Sequence, residues 1–381
     1  MHPVRNVIGS LLLVALLAAS SPASAASALL EEAVGLSGLA MFMESEATAM
    51  ILAVVHDDDE VVVGYGETAK GSGQEPDGKS LFRLGSISKV FAGELLGGLA
   101  ADGQLSLTDP LQPFAPEGMR VPNVDGRTIT LLDLATHSAA LPRELPLQPP
   151  PGAAPYAWPT AGDRFAWLAD YSLPWAPGSV AAYSNLGFDL LGAALAAATG
   201  KSYADLLSER ITGPLGMSDT VLMPTEEQCG RLMTGYGIPG AEAEPCVSTV
   251  NIGGSGGVYS TADDMVHWLR HNLARTDPAV WPTLALSHAI YLERHALDAA
   301  IGFDEAGPMD GIALAWLLEM ADGHRPMILQ KTGGLAGFMS YIAFAPGRNV
   351  GVLVVVNRID FEMFADLTQG ANGLIASLAP Y

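Results

Sequence analysis

Apolar and polar positions change their rhythm twice along the chain. Near the N-terminus, Ala26 to Leu39 carries apolar residues at helical spacing and predicts an amphipathic helix. Met50 to Val55 and Val61 to Gly66 are β-branched runs flanking the acidic turn His56 to Glu60, which predicts a hairpin. The three aspartates of that turn lack the spacing of a calcium loop and read as a solvated turn. Lys70 to Lys79 is Gly-rich and polar, a surface loop. Ser86 to Ala101 follows a helical period that Asp102-Gly103 ends. From there to about Gly257 the text is helix and loop. Proline is dense between Pro142 and Pro159, and an Ala/Leu-rich helix from Leu186 to Thr199 stops at Gly200. Ser260-Thr261-Ala262-Asp263 is a capping-box pattern that opens another helix.

The last part of the chain turns to strands. Ile312 to Met320, Met327 to Gly333, Met339 to Pro346 and Asn349 to Asn357 are strand-like runs, separated by turn signals such as Asp322-Gly323 and Pro346-Gly347. With the N-terminal hairpin they fit one antiparallel sheet, which a terminal helix from Phe361 to Leu378 covers. The expected class is α+β: an antiparallel sheet flanked by helices, with a mostly helical region inserted. The expected boundaries are a leader over 1–25, an α/β part over 26–85 and 300–381, and a mostly helical part over 86–299.

Composition narrows the partners. Lys plus Arg total 19 against 41 Asp plus Glu, a formal charge of −22. Such a field repels phosphate backbones, so no nucleic-acid partner is expected. The N-terminus has a basic Arg5, a short apolar run from Val7 to Ala19 and a small-residue site at Ala23-Ser24-Ala25, the pattern of a cleaved secretory leader. The run falls short of the ~20 residues a membrane span needs, and no transmembrane segment is expected in the mature chain. Cys229 and Cys246 are the only cysteines, an even count that in an exported protein predicts one disulfide.

Three short motifs carry chemistry. Ser86 and Lys89 stand three apart on a predicted helix, so hydroxyl and amine share one face. The hydroxyl sits at the helix N-terminus, where developing negative charge is favoured. The lysine needs a lowered pKa to act as a base. Alone, the pair reads equally as a serine cap and a solvated lysine. Tyr183-Ser184-Asn185 offers a phenol to share a proton and a carboxamide to hold a substrate amide. Alone, it reads as a capping Asn185 beside a core tyrosine. Lys331-Thr332-Gly333-Gly334 ends a strand, where an ammonium and a hydroxyl can bind a carboxylate and the glycines admit substrate to the backbone. The N–H groups of Ser86 and Gly334 are candidates for an oxyanion hole.

Taken together and in this order, the motifs resemble the signature of penicillin-recognising serine enzymes. Tyr-x-Asn in second place, and stretches such as Leu81 to Phe91, Ile129 to Pro146, Ala176 to Gly192 and Leu329 to Phe344, resemble the AmpH type. That group comprises periplasmic penicillin-binding proteins similar to class C β-lactamases. The resemblance implies a β-lactamase/transpeptidase-like fold with the site between its two parts. It implies D-alanyl-D-alanine carboxypeptidase and endopeptidase activity on peptidoglycan peptides, with β-lactams as ligands and weak hydrolysis of them. No cofactor is implied. Ser86 matches the acylated nucleophile, and Lys89 and Tyr183 the proton-transfer pair, with the choice of base open. Asn185 matches the contact to a substrate amide, and Lys331 and Thr332 the cation and hydroxyl of the third motif. The location implied is periplasmic, with peripheral attachment to the inner membrane left open. A class C β-lactamase, an esterase on the same site and a penicillin-binding sensor without turnover remain as rivals.

Other features receive no role. His267 and His271 lack the glutamate of a zincin helix, so no metal is expected. His137 reads as a satisfied histidine at a helix end. Gly253-Gly254-Ser255-Gly256-Gly257 reads as a turn or a place of tight packing, without the strand that a nucleophile elbow needs. Leu335-Ala336 follow the glycine pair as bulk beside the cleft. Arg358, just after the last strand, reads as a carboxylate holder or a solvated strand end.

Overall fold

The structure, a computed structural model, describes residues 22–237, 244–304 and 306–379. Most of the expected leader therefore lies outside the described residues. Helix α1 spans Pro22–Ser45, strand β1 Ala49–His56 and strand β2 Asp59–Gly66. The other strands of the main sheet are β3 Leu292–Glu293, β4 Gly311–Ile312, β5 Leu317–Glu319, β6 Ile328–Leu335, β7 Phe338–Ala345 and β8 Val350–Val356. Their order is β2-β1-β8-β7-β6-β5-β4-β3, antiparallel throughout. Met50 pairs with Val356 and His56 with Val350, so the two ends of the chain are joined by a full strand ladder.

The central strands read as unbroken apolar runs because both sheet faces are covered. Along β1, Ile51, Ala53 and Val55 enter the core beneath helices α2 (Ser88–Ala101) and α6 (Ala262–Leu273). Met50, Leu52 and Val54 enter a second core beneath α1 and the terminal helix α8, Phe361–Leu378. Further helices are α3 Leu131–Ala135, α4 Ala161–Ala169, α5 Asn185–Thr199 and α7 Trp281–His288. Among the described residues, no helix is long and apolar enough to cross a membrane.

The sequence expectations need four adjustments. Helix α1 runs six residues past Leu39, because Leu36, Leu39 and Met43 lie exposed and blur its apolar stripe. Ile312 to Met320 is not one strand: it breaks in a buried turn where Ala313 N–H donates to Trp316 O and Ala315 takes φ 70°. Ser184, not Asn185, caps α5, its hydroxyl accepting from Gly187 N–H at 2.9 Å. At α6 the cap is Thr261, which accepts from Asp264 N–H.

Cys229 and Cys246 form the expected disulfide. It anchors a loop whose described end reaches the site: Pro245 O accepts from buried Arg83, and Glu244 accepts from the Tyr156 hydroxyl. Closing a loop of this length stabilises the fold by about 3 kcal/mol in the chain-entropy model. Replacing both cysteines by serine is expected to lower the urea-unfolding free energy by about that amount. An unchanged midpoint with and without reductant would count against this.

Candidate active site

A tight turn presents Ser86. Gly85–Ile87 forms a short 3-10 helix that runs directly into α2, with Gly85 in the left-handed region at φ 54°. The turn is pinned on both sides: Leu84 N–H donates to Val258 O at 3.0 Å, and the Ser340 hydroxyl donates to Leu84 O at 2.8 Å. Strand β6 runs along it at backbone contact. A Cβ on Gly85 would lie 2.5 Å from Gly334 N, and one on Gly333 would lie 2.1 Å from Leu84 O. Glycine at both places is a condition of the approach. The approach sets Gly334 against the residue that precedes Ser86.

Lys89 occupies the first turn of α2 and is fully buried. Its Nζ lies 3.0 Å from Ser86 Oγ, 2.6 Å from Asn185 Oδ1 and 2.5 Å from Ser255 O. Burial, then the charge of Lys331, pushes its pKa well below the ordinary lysine range, and Asp189 and Glu144 oppose the shift. The three partners match a neutral amine. Its two N–H groups meet the carbonyl oxygens of Asn185 and Ser255, and its lone pair faces a hydroxyl that can donate.

Tyr183 follows the short segment Val180–Ala182, which pairs in parallel with Ala299–Ile301. Lys89 Nζ lies 4.9 Å from its ring centre, Lys331 Nζ 5.0 Å and Arg143 Cζ 4.8 Å. Two cations and the Lys89 amine thus surround one phenol. His137 stacks on the same ring at 4.4 Å and accepts from Ser184 N–H at Nδ1. Among the described residues its buried Nε2 has no partner, so the expectation of a satisfied histidine holds there for one nitrogen. Burial, with Lys89 and Lys331 adding to it, holds that imidazole neutral. Lys331 is buried on β6 and donates to Thr332 O at 3.0 Å, and Thr332 is buried beside it.

The three motifs therefore meet in one place. Ser86, Asn185 and Gly334 line a cavity of about 370 Å³ together with Glu144, Tyr156 and Asp189. A second cavity of about 290 Å³ is lined by Tyr183 with Arg143, Trp175 and Gly302. Arg143 and Glu144 are neighbours in sequence yet face different cavities. Their loop is fixed to the start of α5, where Asn185 N–H donates to Arg143 O at 2.8 Å. Glu144 also accepts from the Asn185 amide.

A family model described as β-lactamase matches residues 28–374. The chain belongs to the β-lactamase family. It is 41% identical over 342 residues to the D-alanyl-D-alanine-carboxypeptidase/endopeptidase AmpH of Escherichia coli, covering 89% of this chain and 87% of that one. A β-lactamase of the same species is 29% identical over 324 residues, covering 77% and 79%. Among solved structures, the β-lactamase/D-alanine carboxypeptidase of Yersinia pestis complexed with citrate superposes with a TM-score of 0.85 at 40% identity. The match covers 92% of this chain and 99% of that one. The chain thus has the β-lactamase/transpeptidase-like fold and is a serine hydrolase of the β-lactamase family.

Within this β-lactamase-family site, sequence reasoning missed Arg143, Glu144, Arg164, Asp189 and Ser255. Asp189 left a signal, since it is the only charged residue of α5. Arg358 is engaged with Asp360 at 2.9 Å and Glu46 at 3.2 Å, and it is not among the residues that line the cavity beside Ser86. His271 is taken by Glu94, 2.8 Å from its Nε2.

Proposed function

We propose that the chain is a serine DD-carboxypeptidase and endopeptidase that cleaves peptidoglycan peptides through an acyl-enzyme on Ser86. The observation that carries this is the buried Lys89 amine 3.0 Å from Ser86 Oγ. As Oγ attacks the carbonyl carbon, the hydroxyl proton passes to Lys89 Nζ. The oxyanion forms against the N–H groups of Ser86 and Gly334. The C–N bond then breaks, and the Lys89/Tyr183 pair returns the proton to the leaving amine. Water repeats the sequence on the ester and frees Ser86. Lys331 and Thr332 hold the carboxylate of the leaving D-alanine, and Asn185 holds the amide of the acyl donor.

The leader pattern of residues 1–25 supports action in the periplasm, where peptidoglycan lies. β-Lactams acylate the same serine. The identity to AmpH supports the peptidase reading over the β-lactamase, esterase and sensor readings. The test uses purified muropeptides and benzylpenicillin side by side. Release of D-alanine from pentapeptides and splitting of cross-linked dimers are expected, with slow consumption of penicillin. Rapid penicillin turnover without D-alanine release would replace this reading with that of a β-lactamase.

A further inference from the structure

The glycine-rich segment 253–257, first read as packing, delivers a carbonyl to Lys89. We infer that the buried pair Arg164–Asp189 holds Ser255 in place and so makes Asp189 a positioning residue for the acylation of Ser86. The inference rests on the acyl-enzyme reading above, and on no particular substrate.

Arg164 Nη2 lies 2.7 Å from Asp189 Oδ2, with side chains 3% and 6% exposed. Arg164 is itself fixed by Pro159 O, which accepts from Nη1 at 2.8 Å. The second oxygen of Asp189 accepts from Ser255 N–H at 3.1 Å. The carbonyl of that same Ser255 accepts from Lys89 Nζ at 2.5 Å. One residue thus links the carboxylate to the candidate base. Its neighbours on both sides are glycines, which do not fix a conformation by themselves. Segment and helix touch at backbone distance: a Cβ on Gly254 would lie 2.3 Å from Phe188 O, the residue before Asp189.

Stability alone is a weak reason for such a pair. Two buried charges are often replaced by apolar side chains of equal volume at no cost. A role at the site supplies the reason. Asp189 faces Arg164, Lys89, Glu144 and the Tyr203 phenol, and burial holds its pKa up at about 6 despite Arg164. Lys89 faces Lys331, Asp189, Glu144 and Arg143. Within that set Asp189 keeps the amine more basic, while burial and the neighbouring cations lower it.

Charge and hydrogen bond can be separated. Asp189→Asn made together with Arg164→Met removes both charges and leaves the single amide oxygen free to accept from Ser255 N–H, with no guanidinium opposing its NH2. The acid limb of the pH profile for acylation by benzylpenicillin is expected to move down by about one unit, with the plateau within a few-fold of wild type. Arg164→Met made together with Asp189→Leu removes both charges and the acceptor. Its plateau is expected to fall about 10- to 100-fold as Lys89 loses its fixed partner. Acylation is followed by intact-protein mass spectrometry between pH 5 and 9, with circular dichroism confirming the fold. A wild-type profile for the Asn variant, or an unchanged plateau for the folded Leu variant, would overturn the inference. Loss of fold in both variants would overturn it too, in favour of a purely structural pair. A wild-type protein that forms no adduct on Ser86 would instead defeat the acyl-enzyme reading.

Discussion

Ser86→Ala is expected to yield a folded protein that forms no covalent adduct with benzylpenicillin and releases D-alanine at least about 10⁴-fold more slowly than wild type. Three features set the size of the loss. Among the described partners of Lys89 Nζ the Ser86 hydroxyl is the one with a proton to give, because the other two are carbonyl oxygens. Removing it leaves the oxyanion donors and the Lys331 cation in place, so binding persists while the covalent step disappears. The fold has little stake in the side chain. Ser86 is half-buried, and the turn is held by Leu84, Ser88 and Ser340 instead. The measurement is intact mass after incubation with penicillin, with D-alanine release on pentapeptide in parallel. An adduct of full stoichiometry on the folded Ser86→Ala variant would remove Ser86 from its role.

Local chemistry was legible where one stretch of chain carries the whole signal. Ser86 and Lys89 sit within one helical turn, so their meeting follows from spacing. The hairpin and the long strands β6, β7 and β8 were readable because β-branched runs alternate with Gly and Asp turns. Legibility failed where apolar residues do two jobs. Ala313 to Trp316 form a turn inside the core, and their apolar identity conceals it among strand residues. Helix α1 exposes Leu29, Leu36 and Met43, which erases the polar face that would have marked its length. It failed again where partners come from distant segments. Arg164, Asp189 and Ser255 lie on α4, on α5 and in a glycine-rich loop, and only the folded chain brings them to Lys89. Arg143 and Glu144 stood inside a stretch that resembled the family, yet which cavity each one lines is a fact of three dimensions.

The charge balance illustrates the same limit. A chain of net charge −22 gives no hint of a cationic site. Yet Lys331 and Arg143 converge on one ring beside the Lys89 amine. Some of the acids pair with arginines, as at Arg231–Asp219 and Arg294–Asp304. The cations that an anionic leaving group meets at the ring are local, and the net charge of the chain does not reveal them.

Gly333→Ala is expected to lower acylation at least about 100-fold while Gly334→Ala, one residue on, is nearly silent in stability. The contrast is geometric. A methyl at Gly333 would lie 2.1 Å from Leu84 O and 2.5 Å from Ser340 Oγ. Leu84 O is backbone and cannot rotate away, and it accepts the Ser340 bond at that same point. Relief requires β6 and the nucleophile turn to part by about 1 Å, enough to separate Gly334 from Ser86 and to cost ~10²-fold in rate. Overpacking of this kind also destabilises by about 1–3 kcal/mol. At Gly334 the nearest atom to an added methyl is Phe338 O at 3.9 Å, an ordinary contact, and the backbone N–H is retained. Stopped-flow acylation and thermal melts on both variants make the comparison. If Gly333→Ala acylates as fast as wild type, contact between β6 and the turn is not what assembles the site.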